Sequence, residues 1–249
     1  MRLFRRPLAS VVLAAALGWA ASATAEPLVA DLTSHLVAIT TGFTGASVVL
    51  FGATDGPGDV VVVVRGPERE MTVRRKSKIL GIWANTRSVT FANVPSFYEL
   101  AASRPIEEVL APDTAALYRI GFGNLKIQPL SPARPDLVPT FTAALIRTQQ
   151  RNALFATALG KVSFLGDRLF RATIAFPANV PTGTYLIEVF LIRNREVVSG
   201  QTTPLVVSKV GVDAAVFDFA SRQSVIYGLV AVLTAVVAGW LASVPFRGI

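Results

Sequence analysis

Apolar and polar residues alternate in short runs over most of the chain, punctuated by glycine, proline and aspartate, as in strands joined by tight turns. Residues 35–40, 47–51 and 59–65 are β-branched or apolar, and Gly42-Phe43-Thr44-Gly45 and Asp55-Gly56-Pro57-Gly58 separate them. Val60 to Val64 are apolar without a break, which predicts a strand covered on both faces. Residues 70–75 alternate, placing Met71 and Val73 on one face and Thr72 and Arg74 on the other. The strand pattern continues through 79–83, 88–91 and 97–101.

The period changes between 104 and 152. Residues 105–110 and 113–118 suit short helical pieces, and Pro129, Pro132, Pro135 and Pro139 mark a loop. Asp136 is placed to cap a helix with Pro139 in its first turn, where a missing N–H costs little. Leu137, Phe141, Ala144, Leu145 and Thr148 then follow helical spacing to about Asn152, with Arg147, Gln149 and Gln150 on the exposed side.

Strands resume at 162–165 and 169–176, where Phe170, Ala172, Ile174 and Phe176 point inward and Arg171 and Thr173 outward. A strand over 185–192 follows Pro181-Thr182-Gly183, Arg193-Asn194-Arg195 makes a turn, and 201–208 closes the set. Tyr185 opens its strand just after a Pro/Gly corner, the placement of a tyrosine corner and equally of an ordinary strand tyrosine. Phe190 and Ile192 are apolar where a wet face is due, so that face should meet the connector helix, the other half of the chain or lipid. The fold expected is mainly β, immunoglobulin-like and antiparallel, with a helical connector. The strand sets favour two small sandwiches, at 26–103 and 153–212, over one composite sandwich.

The ends of the chain break this pattern. Residues 1–25 have the three parts of a secretory signal peptide: basic Arg2, Arg5 and Arg6, an apolar stretch over 8–21, and the small-residue site Ala23-Thr24-Ala25. Residues 213–224 suit a juxtamembrane helix capped by Asp213. Residues 225–244 carry no charge and, as a helix, would rise about 30 Å, the thickness of a bilayer core. Phe217, Phe219, Tyr227 and Trp240 sit where interfacial aromatics belong. Arg222 and Arg247 flank the run one on each side, so orientation rests on the signal peptide. That places the bulk of the chain in the periplasm and 245–249 in the cytoplasm.

Composition narrows the chemistry. The chain has 249 residues, no cysteine and one histidine, His35, so thiol nucleophiles, iron–sulfur clusters, disulfides and multi-histidine zinc sites are ruled out. The formal charge of +8 falls to about +5 once Arg2, Arg5 and Arg6 are removed with the signal. That balance suits anionic headgroups or an acidic partner, and the export signal leads away from nucleic acid. No cofactor is expected.

The stretches TTGFTGASVVLFGATDGPGDVVVVVRGPE and MTVRRKSKILGIWANTRSVTFANVPSFYELAASRP resemble a family of alphaproteobacterial transmembrane proteins without an assigned activity. The resemblance covers nearly the whole chain. It implies an inner-membrane protein with a signal peptide, an extracytoplasmic region and a single C-terminal span, and it transfers no functional residues.

The strongest charge cluster is Arg65, Arg69, Arg74, Arg75, Lys76, Lys78 and Arg87. It could dock anionic headgroups or an acidic loop of a membrane partner, at about 1 kcal/mol per cation near an anionic leaflet. It could equally be a solvated hairpin whose charges block edge pairing. Ala231, Ala235 and Gly239 recur every fourth residue of the span, a stripe that lets another helix approach. Asp55 and Asp59 read as turn carboxylates rather than a calcium loop. Gly121-Phe122-Gly123 lacks the third glycine of a dinucleotide fingerprint. His35, four residues after Asp31, reads as a strand-edge histidine, and no G-x-S-x-G elbow accompanies it.

The function expected is a non-enzymatic accessory, scaffold or interaction subunit of an inner-membrane complex. Its partners would be the bilayer and an integral membrane protein or a second copy. The alternatives are a periplasmic hydrolase and a small-ligand carrier or sensor.

Overall fold

The computed structural model describes residues 27–130, 135–211 and 219–243, with side chains as far as Trp240. The expected signal peptide, Pro132, Asp213, Phe217, Val244, Arg247 and the C-terminal tail lie outside them.

The valine run sets the architecture. Strand β4 (Asp59–Arg65) is buried on both faces, with Val60 to Val64 at most 1% exposed. Alternation sends Val60, Val62 and Val64 into one core and Val61 and Val63 into another. Each fully buried valine is worth about 1.5–3 kcal/mol of transfer free energy, so this strand has no solvent face to give up.

Around it runs a nine-stranded sheet. Its other members are β1 (Leu28–Leu32), β2 (Leu36–Ile39), β3 (Gly45–Thr54), β7 (Tyr98–Ala102), β9 (Gly160–Leu165), β10 (Leu169–Pro177), β11 (Gly183–Arg193) and β12 (Glu196–Lys209). The order across the sheet is β1-β3-β10-β9-β7-β4-β11-β12-β2. The sheet curls until β1 lies near β12. There the Gln201 amide acts as a missing strand, its Oε1 accepting from the Ala30 N–H at 2.8 Å and its Nε2 donating to the Ala30 carbonyl at 2.7 Å. The concave side holds the first core: Leu28, Leu50, Phe97, Phe170, Ile174, Phe176, Tyr185, Ile187 and the inward β4 valines. All four predicted inward residues of β10 are there, each 1–2% exposed. The Tyr185 hydroxyl donates to the Pro181 carbonyl at 2.6 Å, the tie of a tyrosine corner.

The sheet corrects two expectations. Strands from both sides of 104–152 alternate within it, so they make one composite sheet rather than two sandwiches. It is also mixed, because β2 runs parallel to β12 and β7 runs parallel to β9. Pattern within a strand reports which face is buried, not which strand lies alongside.

The second core fills the outer side of β4 and β11. Phe190 and Ile192, predicted to need cover, are 7% and 1% exposed. They lie in a cluster with residues of α1 (Ile106–Val109), α2 (Pro112–Leu117) and α3 (Val138–Arg151) and of a separate three-stranded sheet. That sheet comprises β5 (Glu68–Ile79), β6 (Ile82–Pro95) and the short β8 (Gln128–Pro129). In α3 the N-cap is Leu137 rather than Asp136, and no side chain caps it. Its buried residues are Phe141, Leu145 and Gln149. Gln149, expected outside, turns its amide to the Met71 sulfur at 3.3 Å.

Helix α4 (Ser224–Ser243) follows the body, its described side chains exposed on every side. Among the described residues no helix is long and apolar enough to cross a membrane. The part of α4 with described side chains, Ser224 to Trp240, rises about 26 Å, short of a bilayer core of roughly 30 Å.

Candidate functional site

The seven-residue basic cluster divides in the structure. Arg65 is held inside the body, paired with Glu188, and its Nη2 donates to the carbonyls of Tyr118 and Arg119, each at 3.0 Å. Arg69 donates to the Thr182 carbonyl at 2.9 Å. Arg65 thereby fastens the loop after α2 to β4, and Arg69 fastens the corner before β11 to β5. Arg74, Arg75, Lys76, Lys78 and Arg87 instead occupy the far half of the β5–β6 ribbon, exposed and without an ion pair among the described residues.

The ribbon is one hairpin. The apolar run 79–83, expected as a separate strand, straddles its turn: Ile79 pairs with Ile82, and Leu80 and Gly81 have φ of 48° and 88°. Two successive positive φ values make the two-residue turn whose twist matches the flanking strands. The root of the ribbon is anchored by Met71, Val73, Val89, Phe91 and Val94 in the second core. Beyond Val73 an arm of about 23 Å projects to Leu80, at roughly 3.3 Å per residue. From Arg74 to Arg87 the arm carries five cations and no Asp or Glu. Its end is apolar: Ile79, Leu80, Ile82 and Trp83 are 52%, 99%, 73% and 67% exposed. Arg75 lies directly opposite Arg87, and Lys78 opposite Trp83.

A second feature lies where the curled sheet is weakest. β7 and β9 pair only through Ala101–Gly160 and Ala102–Lys161, with a bridge from Tyr98 to Phe155 below them. Beside this seam is a cavity of about 400 Å³, lined by Glu99, Gln150, Thr157, Ala158, Pro177 and their neighbours. Burial pushes the Glu99 carboxyl up to about 7, against the opposing pull of the hydrogen bond it accepts from the Ala175 N–H. Nothing in the sequence marks Glu99. It reads as the outward residue of an alternating strand, and its burial comes from the loop after α3, some fifty residues away.

A third feature is apolar. Val29, Phe51, Leu165 and Leu169, on β1, β3, β9 and β10, are 54%, 47%, 52% and 56% exposed, and they line a shallow depression on the outer face of the sheet.

The remaining candidates resolve as structure. Asp55 is paired with Arg193, and Asp59 with Arg104 while accepting from the Ser103 hydroxyl at 2.8 Å. The Arg104 guanidinium holds the Asp59 carboxyl below its ordinary value. Gly121 donates its N–H to the buried Tyr98 hydroxyl at 2.8 Å, in a turn of 3-10 helix (Phe122–Asn124). His35 meets Asp31 at 3.1 Å, both more than half exposed, and the neighbouring Ser34 hydroxyl is engaged by the Leu36 carbonyl. No group of three or more His, Asp or Glu is placed to hold a metal among the described residues. Ala231, Ala235 and Gly239 share one exposed side of α4.

Neither the curated proteins nor the solved structures contain a match to the chain. A family model does match, over residues 27–248, which spans the β body, the arm and α4. The chain belongs to the family described as "Putative transmembrane protein (Alph_Pro_TM)".

Proposed function

We propose that the chain is a membrane-anchored, non-enzymatic accessory or scaffold module. In this reading its β body lies on the periplasmic side of the inner membrane, and α4 crosses the bilayer once. The observation that carries the reading is α4 itself. It is a helix of twenty residues without Asp, Glu, Lys or Arg, with Val225, Leu229, Leu233 and Val236 60–76% exposed, as their values of 76%, 60%, 63% and 64% give. Exposure of that kind is costly in water and ordinary in lipid. The twenty residues of α4 rise about 30 Å, and in sequence the uncharged run continues through Val244. Membership in a family described as transmembrane and the secretory pattern of residues 1–25 support the same placement.

The outer-face patch around Phe51 and Leu169 gives a protein partner an apolar surface to cover, and the Ala231, Ala235 and Gly239 side of α4 gives a partner helix a close approach. Crosslinking in cells followed by purification in mild detergent tests the accessory role. A partner or a second copy should co-purify, and Ala235→Leu should weaken that association without changing membrane insertion. A strictly monomeric chain without partners contradicts the role.

One observation favours a second reading, a small-ligand carrier. The seam cavity lies between the sheet and the end of α3 and combines aromatic walls with a carboxyl that titrates near neutrality. Organic amines should then raise the melting temperature of the full chain in detergent, and Glu99→Gln should abolish the rise.

A further inference from the structure

We propose that the end of the β5–β6 arm inserts into the interfacial layer of an anionic phospholipid bilayer, giving the body a second membrane contact. This deepens the anchored reading, in that α4 holds the body close to a bilayer.

Residues along the arm run from apolar at its end to cationic behind it. Leu80 stands at the end, Ile79, Ile82 and Trp83 come next, and behind them follow Lys78, Lys76, Arg75 with Arg87, and Arg74. From Leu80 to Lys76 the ribbon covers about 13 Å. An interfacial segment buries its apolar part about 5–10 Å deep, with tryptophan and cations at headgroup level, so chemistry and spacing both match.

The distribution of charge around the ribbon separates lipid from an acidic protein. Along β5, Arg74, Lys76 and Lys78 point to one face, while Arg75 points to the other and is joined there by its cross-strand partner Arg87. The apolar end is divided in the same way, with Trp83 opposite Lys78 and Ile79 opposite Ile82. A folded partner would meet one face of a two-stranded ribbon. Headgroups surround an inserted ribbon on every side.

The opposed Arg75 and Arg87 add a second observation. Like charges directly across a strand pair are unfavourable, and no acidic side chain relieves these two among the described residues. Phosphate oxygens lying between them would relieve both.

The chain has no cysteine, so Leu80→Cys gives a single labelling position for an environment-sensitive fluorophore. The full labelled chain is reconstituted into phosphatidylglycerol vesicles and into phosphatidylcholine vesicles. In phosphatidylglycerol the emission should shift to the blue and be quenched by lipids brominated high in the acyl chain. In phosphatidylcholine both effects should be much smaller. In phosphatidylglycerol the inserted fraction should fall roughly fivefold for each cation removed in Arg75→Gln and Arg87→Gln, and it should fall with added salt. A label that reports water in both lipids overturns the proposal. So does a label shielded in native membranes but not in phosphatidylglycerol vesicles, which would assign the arm to a protein partner. Alkaline carbonate extraction of the same vesicles reads α4 separately: loss of the chain there is a failure of the anchor, whatever the label reports.

Discussion

Arg75 faces Arg87 across the β5–β6 ribbon, with no carboxylate on either strand beyond Val73 to separate their charges. Cross-strand ion pairs and like-charge pairs differ by a fraction of a kcal/mol to about 1 kcal/mol each. Arg87→Glu should therefore stabilise the chain in detergent by about 0.5 kcal/mol, read as a rise in melting temperature of about 1–2 °C. Added salt should shrink the difference. The same substitution should weaken phosphatidylglycerol insertion, because it removes a cation and adds an anion. A gain in stability with a loss in lipid contact is expected of a residue kept for its surroundings rather than for the fold.

The double burial of β4 makes a second prediction. An ordinary amphipathic strand loses stability when every other residue is truncated. Val62 faces the first core and Val63 the second, and each is at most 1% exposed. Val62→Ala and Val63→Ala should each cost about 2 kcal/mol in thermal or urea unfolding, with neither position spared. A near-neutral Val63→Ala would show that the outer cover is loose.

Glu99 should make stability depend on pH in a direction opposite to most carboxylates. Burial raises its folded value to about 7, whereas unfolded glutamate titrates near its ordinary value of 4.5. Between those values the folded chain binds more protons than the unfolded one, so stability falls as pH rises. The loss begins near the ordinary value and is complete a little above pH 7, and it amounts to about 3 kcal/mol. Glu99→Gln should remove this slope, leaving a chain more stable than the parent at pH 8 and close to it at pH 4. Melting temperatures across pH 4–8 check it, and an unchanged slope in the variant would place the carboxyl in water.

The elements legible in the sequence were those whose period is local. The valine run of β4, the alternation of β10 from Leu169 to Phe176, and the apolar Phe190 and Ile192 all announce which faces are covered, and all are covered. The Pro/Gly corner before Tyr185 leaves a tyrosine corner and an ordinary strand tyrosine equally open, and the hydroxyl closes that corner on Pro181. The arm was obscured because Ile79 to Trp83 has a strand's composition. Its turn uses Leu80 and Gly81, without the Asn-Gly or Asp-Gly pair that usually marks two positive φ values. The single composite sheet and the burial of Glu99 depend on segments far apart in sequence meeting at the β7–β9 seam, and no local pattern encodes that. Gln149 reads as exposed in sequence for a related reason: its partner is Met71, on a ribbon that packs against α3 only in the folded chain.

Membrane anchoring through α4 is tested most directly by alkaline carbonate extraction of membranes carrying the full chain, beside a version ending at Arg222. The full chain should stay with the membrane pellet, and the shortened chain should be released. Release of the full chain into the carbonate supernatant would contradict anchoring.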